Sequence, residues 1–543
     1  MIPAPTFKEL SAEEQDQLNR LWKLIATKAE KNEILNVYYD GHRAFRDLGI
    51  SIPPELRNTR AALGWPQKAV SALARKHVFE GYSLSGSLDP FEVGEILSRN
   101  AFETELAQAI TSAYKHSCAF LTVAAGDPSR GEPEVMIQAR DALWCSALWD
   151  DRTRTLQAAL AVSSSWKNPE ALGRREIGSA TLYLRDSIIQ IEPDNAQAPR
   201  RWMMQRLPNP TGRVLVEPIV YDPQLGRPFG RSRISREVRY LTDAAIRTLV
   251  RTETSAEFFS SPQRYVLGAS EDAFKDMDRW SAIIGRVLAL APDEDGKLPE
   301  VGQFAQMGMD PHLSMYRQLA QNFCAATNLP MSAVGLFADN PASAEAMQAA
   351  EYALSDEAEY QWRIFSPALR RLVEDVVMVR DGLSQPPSEA WKLAINWTPA
   401  RYVSPQAASD FITKIASVRP DIANTSVGLR RAGFSQAEID QIQAESSRAA
   451  AVGVLEKLAE APSSEGNTGV EAADITPPPV NPEPQVSAGE MKAKFEALGV
   501  AIRSGVDPEN AAQLLNLGGV KFTGAMPVSL RLPEKEATGL EDK

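Results

Sequence analysis

A long amphipathic segment runs from residue 232 to residue 259 and reads SRISREVRYLTDAAIRTLVRTETSAEFF. Its apolar side chains recur at steps of three or four residues and so share one stripe of a helix: Ile234, Val238, Leu241, Ala245 and Leu249. At about 1.5 Å per residue, this helix would be on the order of 30 Å or more in length. Such a length suits a wall or a stalk better than a connector.

A small β-containing insert and a second long helix are predicted to follow. Three runs in the insert are typical of strands: Arg264–Leu267, Ile283–Leu290 and Glu300–Phe304, with a turn at Asp293–Gly296 between the last two. Asp310-Pro311 then combines an N-cap acceptor with a proline at the first helical position. This pair predicts a second long helix that continues toward Asn328.

A third helix is expected after a loop at Gly335–Pro341. It runs from about Ser343 to Phe365 and is rich in alanine. Ser366-Pro367 should kink or restart it, because proline lacks an amide donor and its ring collides with the preceding turn.

The chain before residue 232 mixes helix and sheet. Ser11-Ala-Glu-Glu14 has the form of a capping box at the start of a helix. Between about residues 118 and 221, short β-branched or alternating runs separated by turn residues predict a mostly antiparallel sheet: Ala119–Ala125, Leu156–Val162, Thr181–Ile191 and Arg213–Val220. The expected fold class is therefore α+β.

The C-terminal part begins in an ordered form and then changes composition. It contains an aromatic strand at Trp391–Trp397, a helix opened by Ser404-Pro405 and a capping box at Ser435–Glu438. Residues 461–489 are rich in Pro, Ser, Gly and Glu, a composition that buries too little apolar surface to offset chain entropy. We expect a disordered linker there, followed by short helices.

Composition limits the possible function classes. The 543 residues are 44% hydrophobic and 24% charged, which is enough for several globular parts. The formal net charge of −12 argues against a protein whose main task is to grip nucleic acid. Cys118, Cys145 and Cys324 are far apart, as expected of small core residues in a reducing compartment. We find neither a secretory signal nor a spanning segment, so a soluble intracellular product is expected.

Motifs for catalysis or for metal binding are not found. The histidines His42, His77, His116 and His312 are isolated from one another. The run Gly226-Arg-Pro-Phe-Gly230-Arg-Ser lacks the ending of a phosphate loop and is interpreted as a turn. Asp293–Gly296 lacks the spaced ligands of a calcium loop. We therefore expect no enzymatic activity, no cofactor and no metal site.

Two charge patterns leave alternatives open. Arginines are frequent between Arg227 and Arg251 and could bind DNA, but interleaved acids favour a solvated or interface helix face. From Gln318 through Trp362 there is no Lys or Arg, while several acids fall inside. This stretch is either a surface that avoids sticking to DNA phosphates or one acidic helix packed by its alanines.

The order of these parts, and several motifs, resemble the portal proteins of tailed phages. The chain is similar to the SPP1-type portal family, in the branch common among phages of actinobacteria, over roughly residues 15 to 450. The motifs are Tyr38-Tyr-Asp-Gly-His42, Gly64-Trp65-Pro66, Gly226–Ser232, Asn328-Leu-Pro330 followed by Gly335, and Asn340-Pro-Ala-Ser-Ala-Glu345.

The resemblance implies a phage portal fold with named parts. These are a wing at 1–231, completed by a strand at 391–397; stem helices at 232–262 and 307–330; a small α/β clip at 263–306; a tunnel loop at 331–343; a long kinked helix at 344–390; a wing strand and helical crown at 391–460; a linker at 461–489; and a tail at 490–543.

The resemblance also implies a function. Such a protein forms a head-to-tail ring of twelve subunits at the capsid vertex of the virion, after assembly in the host cytoplasm, and double-stranded DNA passes through it in packaging and ejection. Its other partners are the terminase, a head–tail adaptor, and the major capsid and scaffold proteins, with no membrane. Expected channel-lining residues are Asp339, Asn340, Ser343 and Glu345, and expected docking residues in the clip are Asp293, Glu294, Asp295 and Gly296.

Two other classes remain as alternatives. One is a phage nuclease or protease with an unrecognised site, which would need convergent carboxylates or a Ser/Cys–His pair. The other is a DNA-binding scaffold protein that uses the arginines between 227 and 251, and this protein would bind duplex strongly and lose affinity steeply with added salt.

Overall fold

The structure is a computed structural model of the whole chain. It describes residues 3–42, 62–84, 89–168, 174–194, 201–259, 264–268, 296–303, 308–336, 344–401, 404–423, 425–434, 438–446 and 448. The chain divides into two compact units, Met1–Lys457 and Leu458–Lys543, and all described residues belong to the first. The expected linker at 461–489 and the short helices after it lie outside the described residues.

The helices of the described ranges vary from one turn to ten. In chain order they are α1 (Ala12–Tyr39), α2 (Trp65–Ala74), α3 (Gly94–Arg99), α4 (Phe102–His116), α5 (Arg236–Phe259), α6 (Asp310–Thr327), α7 (Ala344–Asp381), α8 (Pro405–Val418), α9 (Pro420–Ala423) and α10 (Ser426–Arg431). Short 3-10 turns occur at Pro90–Glu92, Pro128–Arg130, Met331–Val334 and Ala390–Lys392.

The strands of the described ranges pair antiparallel. They are β1 (Phe79–Ser83), β2 (Cys118–Ala125), β3 (Val135–Asp141), β4 (Cys145–Asp150), β5 (Thr155–Val162), β6 (Ser165–Asn168), β7 (Arg174–Ile177), β8 (Ala180–Tyr183), β9 (Ser187–Pro193), β10 (Trp202–Pro208), β11 (Val216–Val220), β12 (Arg264–Leu267), β13 (Glu300–Gln303) and β14 (Ala394–Trp397). The larger sheets have the orders β10-β9-β8-β5-β4 and β11-β2-β3, and the two-stranded sheets are β1-β14, β6-β7 and β12-β13. The α+β prediction is confirmed.

Two hydrophobic cores hold the elements together. In the larger core, α4 and α7 both pack against the three-stranded sheet. Six consecutive residues of β2, Cys118–Val123, are buried, so both faces of that strand are covered. In the second core, the first half of α1 packs its Leu18, Leu21, Trp22 and Ile25 on the five-stranded sheet. These side chains follow the predicted capping box, whose two reciprocal hydrogen bonds are both present.

Helix α5 begins later than its sequence pattern suggests. Ser235 is its N-cap, since the Ser235 hydroxyl accepts from Val238 N at 3.2 Å and the Ser235 carbonyl from Arg239 N at 3.1 Å. Before this cap, Arg233 N donates to Tyr114 O at 2.8 Å. The chain is therefore fixed to α4 before the helix starts.

Of the kink or restart predicted at Ser366-Pro367, the restart is wrong, because α7 continues through Pro367 to Asp381. The kink stays a prediction. Buried side chains lie on both sides of the proline, at Phe365 and Leu369, so the core holds the two halves in one helix. The Ser366 hydroxyl also donates to the carbonyl of Trp362 at 2.6 Å. Packing of this kind outweighs the single backbone hydrogen bond that proline removes.

Several strand predictions needed smaller corrections. The run Thr181–Ile191 is two strands, β8 and β9, because the chain turns back where Leu184 N donates to Ser187 O at 2.9 Å. The strand expected at Trp391–Trp397 is only Ala394–Trp397, preceded by a 3-10 turn. Residues 283–290 lie outside the described residues, as does most of the capping box at Ser435–Glu438.

Candidate functional site at the joint of the long helices

A buried arginine links the start of α5 to four other segments. Arg233, only 6% exposed, lies just before α5. Its Nε donates to Ala69 O in α2 at 2.7 Å, and its Nη2 donates to Thr327 O at the end of α6 at 2.5 Å. Its Nη1 donates to the Tyr221 hydroxyl at 3.1 Å and to the carboxylate of Glu357 in α7. One side chain thus binds α2, α6, α7 and the residue after β11.

Glu357 completes this arrangement from the side of α7. Its carboxylate also accepts from the Tyr221 hydroxyl at 2.8 Å and from Asn328 Nδ2 at 3.0 Å. Asn328 ends α6 in a left-handed conformation with φ of 54°, which asparagine tolerates better than most residues. We call the group Arg233, Glu357, Tyr221, Thr327 and Asn328 the helix joint.

The groups around the helix joint are neutral. The pKa of His77 falls to about 4 because burial disfavours its charged form. Its Nδ1 lies 2.9 Å from Leu73 O and must carry the proton, so Nε2 accepts from the Tyr114 hydroxyl at 3.0 Å. Burial raises the pKa of Tyr221 to about 12 and that of Tyr114 well above its ordinary value.

Arg233 and Glu357 are consequently the charged pair at the centre of the joint. Burial alone would lower the pKa of Arg233, but the charge of Glu357 and the neighbouring Tyr221 raise it above its ordinary value. An ion pair of this kind is costly to separate, because either charge would remain buried without its partner. The joint therefore holds the end of α6 and the body of α7 in a fixed relation.

After Arg317, the exposed face of α6 carries no charged side chain. The sequence contains no Asp, Glu, Lys or Arg from residue 318 through residue 338. The exposed residues on this face and just after it are amides, hydroxyls and alanines: Gln318, Gln321, Asn322, Ala325, Ala326, Asn328 and Ser332. Gln318 Nε2 donates to Asn322 Oδ1 at 3.0 Å. We call these residues the neutral face.

The described acids between residues 351 and 359 of α7 have cationic partners from distant parts of the chain. Lys76 Nζ lies 2.9 Å from Glu351. Arg401 lies 3.6 Å from Asp356 and 3.1 Å from Glu359. Arg233 forms an ion pair with Glu357. The described part of residues 318–362, together with these cationic partners, is therefore close to neutral rather than strongly acidic. The sequence pattern could not reveal this, because the compensating cations lie outside the stretch.

Comparisons with known proteins agree with the resemblance noted in the motifs. The family model described as "Phage portal protein, SPP1 Gp6-like" matches residues 8–451. The chain belongs to this family. It is 27% identical over 392 residues to a portal protein of Mycobacterium phage L5, covering 70% of this chain and 77% of that protein. It is 26% identical over 431 residues to a portal protein of Mycobacterium phage D29, covering 77% and 85%.

A solved structure is also similar, with a TM-score of 0.38 and 12% identity. It is titled "Neck of native GTA particle computed with C12 symmetry", and the match covers 69% of this chain and 88% of that one.

The motifs that carry the portal resemblance lie against α5 and α6 or close to their ends. The Tyr38 hydroxyl donates to Asp243 in α5 at 2.7 Å. Trp65 stacks on Phe323 in α6 with ring centroids 4.8 Å apart. Asn328 belongs to the helix joint, and Gly230 lies in the turn that precedes α5. In this portal protein, the motifs hold α5 and α6 in place from several sides.

The arginines between Arg227 and Arg251 have divided roles. Arg233 is buried in the helix joint. Arg231 Nε lies 2.5 Å from Asp222, and the Arg239 guanidinium lies over the Tyr38 ring at 6.0 Å. This distribution counts against one continuous DNA-gripping face and hence against the DNA-binding scaffold. No local sequence signal distinguished Arg233 from its neighbours.

Three of the four expected channel residues lie outside the described residues. Asp339, Asn340 and Ser343 are not described, and Glu345 is described only as part of the backbone of α7. The described chain before them is a 3-10 turn, Met331–Val334, which ends at Gly335 with φ of 81°. The channel-lining assignment therefore stays a prediction.

The expected docking residues in the clip are described only in part. Asp293, Glu294 and Asp295 lie outside the described residues, and Gly296 is exposed with φ of 77°. The neighbouring sheet pairs β12 with β13 and exposes Leu267 and Val301 at 58% and 52%. The two side chains lie on opposite faces of this sheet, because Leu267 pairs with Glu300 and Val301 pairs with Val266.

Within the described ranges, no group of three His, Cys, Asp or Glu side chains is arranged to hold a metal ion. Cys118, Cys145 and Cys324 are free and buried, as predicted. No helix in those ranges is both long and apolar enough to cross a bilayer.

Proposed function

We propose that this portal-family chain assembles into a twelve-subunit head-to-tail ring at one capsid vertex and forms the channel for double-stranded DNA in packaging and ejection. Its family membership supports the ring and the location in the virion. The observation that carries the channel is the neutral face of α6 together with the paired acids of α7. The ring would assemble in the host cytoplasm with the capsid and scaffold proteins.

A channel for duplex DNA must contact a dense line of phosphates without holding them. Each Lys or Arg that reaches a phosphate releases counterions and adds binding free energy. Amides, hydroxyls and alanines release no counterions and add no such binding free energy. A ring that presented the neutral face inward would let the duplex slide with little attraction. The helix joint would keep that face in position while DNA moves past it.

The stem and the clip are assigned to segments of this chain from the family resemblance. We assign α5 and α6 to the stem and the exposed sheet β12-β13 to the clip, which would dock the terminase during packaging and the head–tail adaptor afterwards. Leu267 and Val301 are then candidate contacts for both partners. The portal ring would act sterically and electrostatically and would catalyse no reaction. The energy for DNA movement would come from a separate motor ATPase.

Replacing Gln321 or Glu345 with lysine should leave ring assembly unchanged and slow DNA packaging. A single substitution repeats around the ring and adds one cation per subunit at the same height. The effect should weaken as salt is raised, because each phosphate contact contributes a slope of about −0.9 to the dependence of log affinity on log salt. The measurement is the rate at which nuclease-protected DNA accumulates in packaging reactions at several salt concentrations.

Gln108→Lys is the matched control, because Gln108 is an exposed glutamine in the middle of α4, away from the neutral face. Its rate should equal that of the unmodified protein at all salt concentrations. Equal rates for Gln321→Lys, Gln108→Lys and the unmodified protein at low salt, with rings intact in all three, would count against the neutral channel.

A further inference from the structure

A second charge cluster, buried at Glu217 and Asp375 and partly exposed at its other members, lies where α7 packs against β11, away from the helix joint. It contains three carboxylates, Glu217, Glu374 and Asp375, and two guanidinium groups, Arg213 and Arg371. Arg213 Nη1 donates to Glu374 at 2.6 Å, and Arg371 Nε donates to Glu217 at 2.8 Å. With every group ionised, the cluster would carry one uncompensated negative charge. We call these five residues the Asp375 cluster.

Asp375 is the member without a hydrogen-bond partner. It is 0% exposed, and neither carboxylate oxygen accepts a hydrogen bond in the described part of the chain. Its Oδ1 lies 3.2 Å from Arg213 Nε, but the contact does not have the direction of a hydrogen bond. Arg213 already donates to Glu374. An ionised carboxylate in this position would lose its hydration without compensating donors, which is strongly unfavourable.

Other ways of compensating the charge do not fit the cluster. Its carboxylates are not placed as a metal-binding group among the described residues. The guanidinium of Arg371 contacts Glu217 through both Nε and Nη2, each at 2.8 Å, and is committed to that residue. A proton on one carboxyl group would balance the cluster without any further ligand.

We propose that Asp375 is a proton-binding site, that its carboxyl group carries the proton at neutral pH, and that loss of this proton weakens the contact between α7 and β11. Glu217 is the other candidate, since it too is buried, but it has two contacts from Arg371 that favour its ionised form. Asp375 has none of comparable geometry.

The titration behaviour agrees with this geometry. Burial raises the pKa of Asp375 well above its ordinary value, Glu217 and Glu374 raise it further, and Arg213 and Arg371 only partly oppose them. The folded chain therefore binds a proton that the unfolded chain has already released. This contribution to stability is full below the ordinary pKa of aspartate and is lost as pH rises through the raised value.

Asp375→Asn tests the proposal, because asparagine has nearly the shape of the protonated acid and cannot ionise. Relative to the unmodified chain, the thermal midpoint of the variant should rise by about 1–3 °C as pH rises from about 6 to 9.5, because in a chain of this size a given change in free energy shifts the midpoint less than in a small domain. Asp151→Asn, at an exposed position, is the control and should show no such trend. The oligomeric state of all three proteins is kept the same.

Infrared spectroscopy supplies a readout that does not depend on the variant folding well. The unmodified protein should show the carbonyl band of a protonated carboxyl group at pH 7, and this band should disappear at high pH and in Asp375→Asn. Absence of the band at pH 7, or a large fall in the thermal midpoint of Asp375→Asn at that pH, would show that Asp375 is ionised and paired with Arg213, and the proposal would be wrong.

Discussion

Replacing Arg233 with methionine is expected to lower the free energy of unfolding by about 3–5 kcal/mol, the usual cost of removing one partner of a buried ion pair. The change leaves Glu357, whose side chain is 15% exposed, without its cation and removes donors from Ala69 O and Thr327 O. Methionine fills much of the same volume, so the loss reflects charge and hydrogen bonding rather than a large cavity. Denaturant unfolding followed by tryptophan fluorescence measures it.

Two controls test whether the loss of stability comes from the helix joint or would follow the removal of any arginine. Arg231→Met removes a guanidinium whose side chain is 60% exposed, and it should cost less than about 1 kcal/mol. Adding Glu357→Gln to Arg233→Met should recover part of the loss, because the stranded charge is then gone. Equal losses for Arg231→Met and Arg233→Met, or no recovery in the double variant, would contradict the assignment of the joint.

Replacing Gly230 with alanine is expected to destabilise the chain by about 2–5 kcal/mol, from left-handed backbone strain and overpacking together. Gly230 has φ of 64°, and an added Cβ would lie 1.9 Å from Tyr221 O. The same carbonyl accepts from Arg231 N at 3.2 Å, so the strand end and the entry to α5 are held closely together. An alanine would push apart the two segments that carry Tyr221 and Arg233 to the helix joint.

Gly226 offers a matched control in the same turn. Its φ lies outside the left-handed region, and an added Cβ would meet nothing within 4 Å. Gly226→Ala should therefore change the free energy of unfolding by no more than about 0.5 kcal/mol, or stabilise slightly by restricting the unfolded chain. If both variants unfold at the same denaturant concentration as the original chain, the close approach of Gly230 to Tyr221 O would be contradicted.

The long helices could be predicted from the sequence because their signals are local. The apolar stripe of α5 and the Asp310-Pro311 start of α6 predicted both elements to within a few residues. The capping box at Ser11 and the N-cap at Ser404 are present as expected, because each depends on side chains within three residues of the helix start.

Pairings between distant segments could not be predicted in this way. The strand β1 was not predicted at all, and it pairs with β14, more than three hundred residues later. The continuity of α7 through Pro367 depends on a core whose members come from many segments. Local rules correctly state the cost of proline, but they do not state what packing supplies against it.

The candidate site was visible only in part for the same reason. The lack of cations between residues 318 and 362 is plain in the sequence, whereas Lys76, Arg233 and Arg401, which compensate its acids, are not marked by any local pattern. Family motifs pointed to Tyr38, Trp65 and Asn328, but their shared role around α5 and α6 became clear only from their contacts.

Negative-stain imaging with mass measurement of the purified protein is the decisive test of ring formation. We expect radial particles with a central hole near the width of a DNA duplex and a mass that corresponds to a closed ring of twelve chains. Compact monomers or dimers under all assembly conditions would contradict the account.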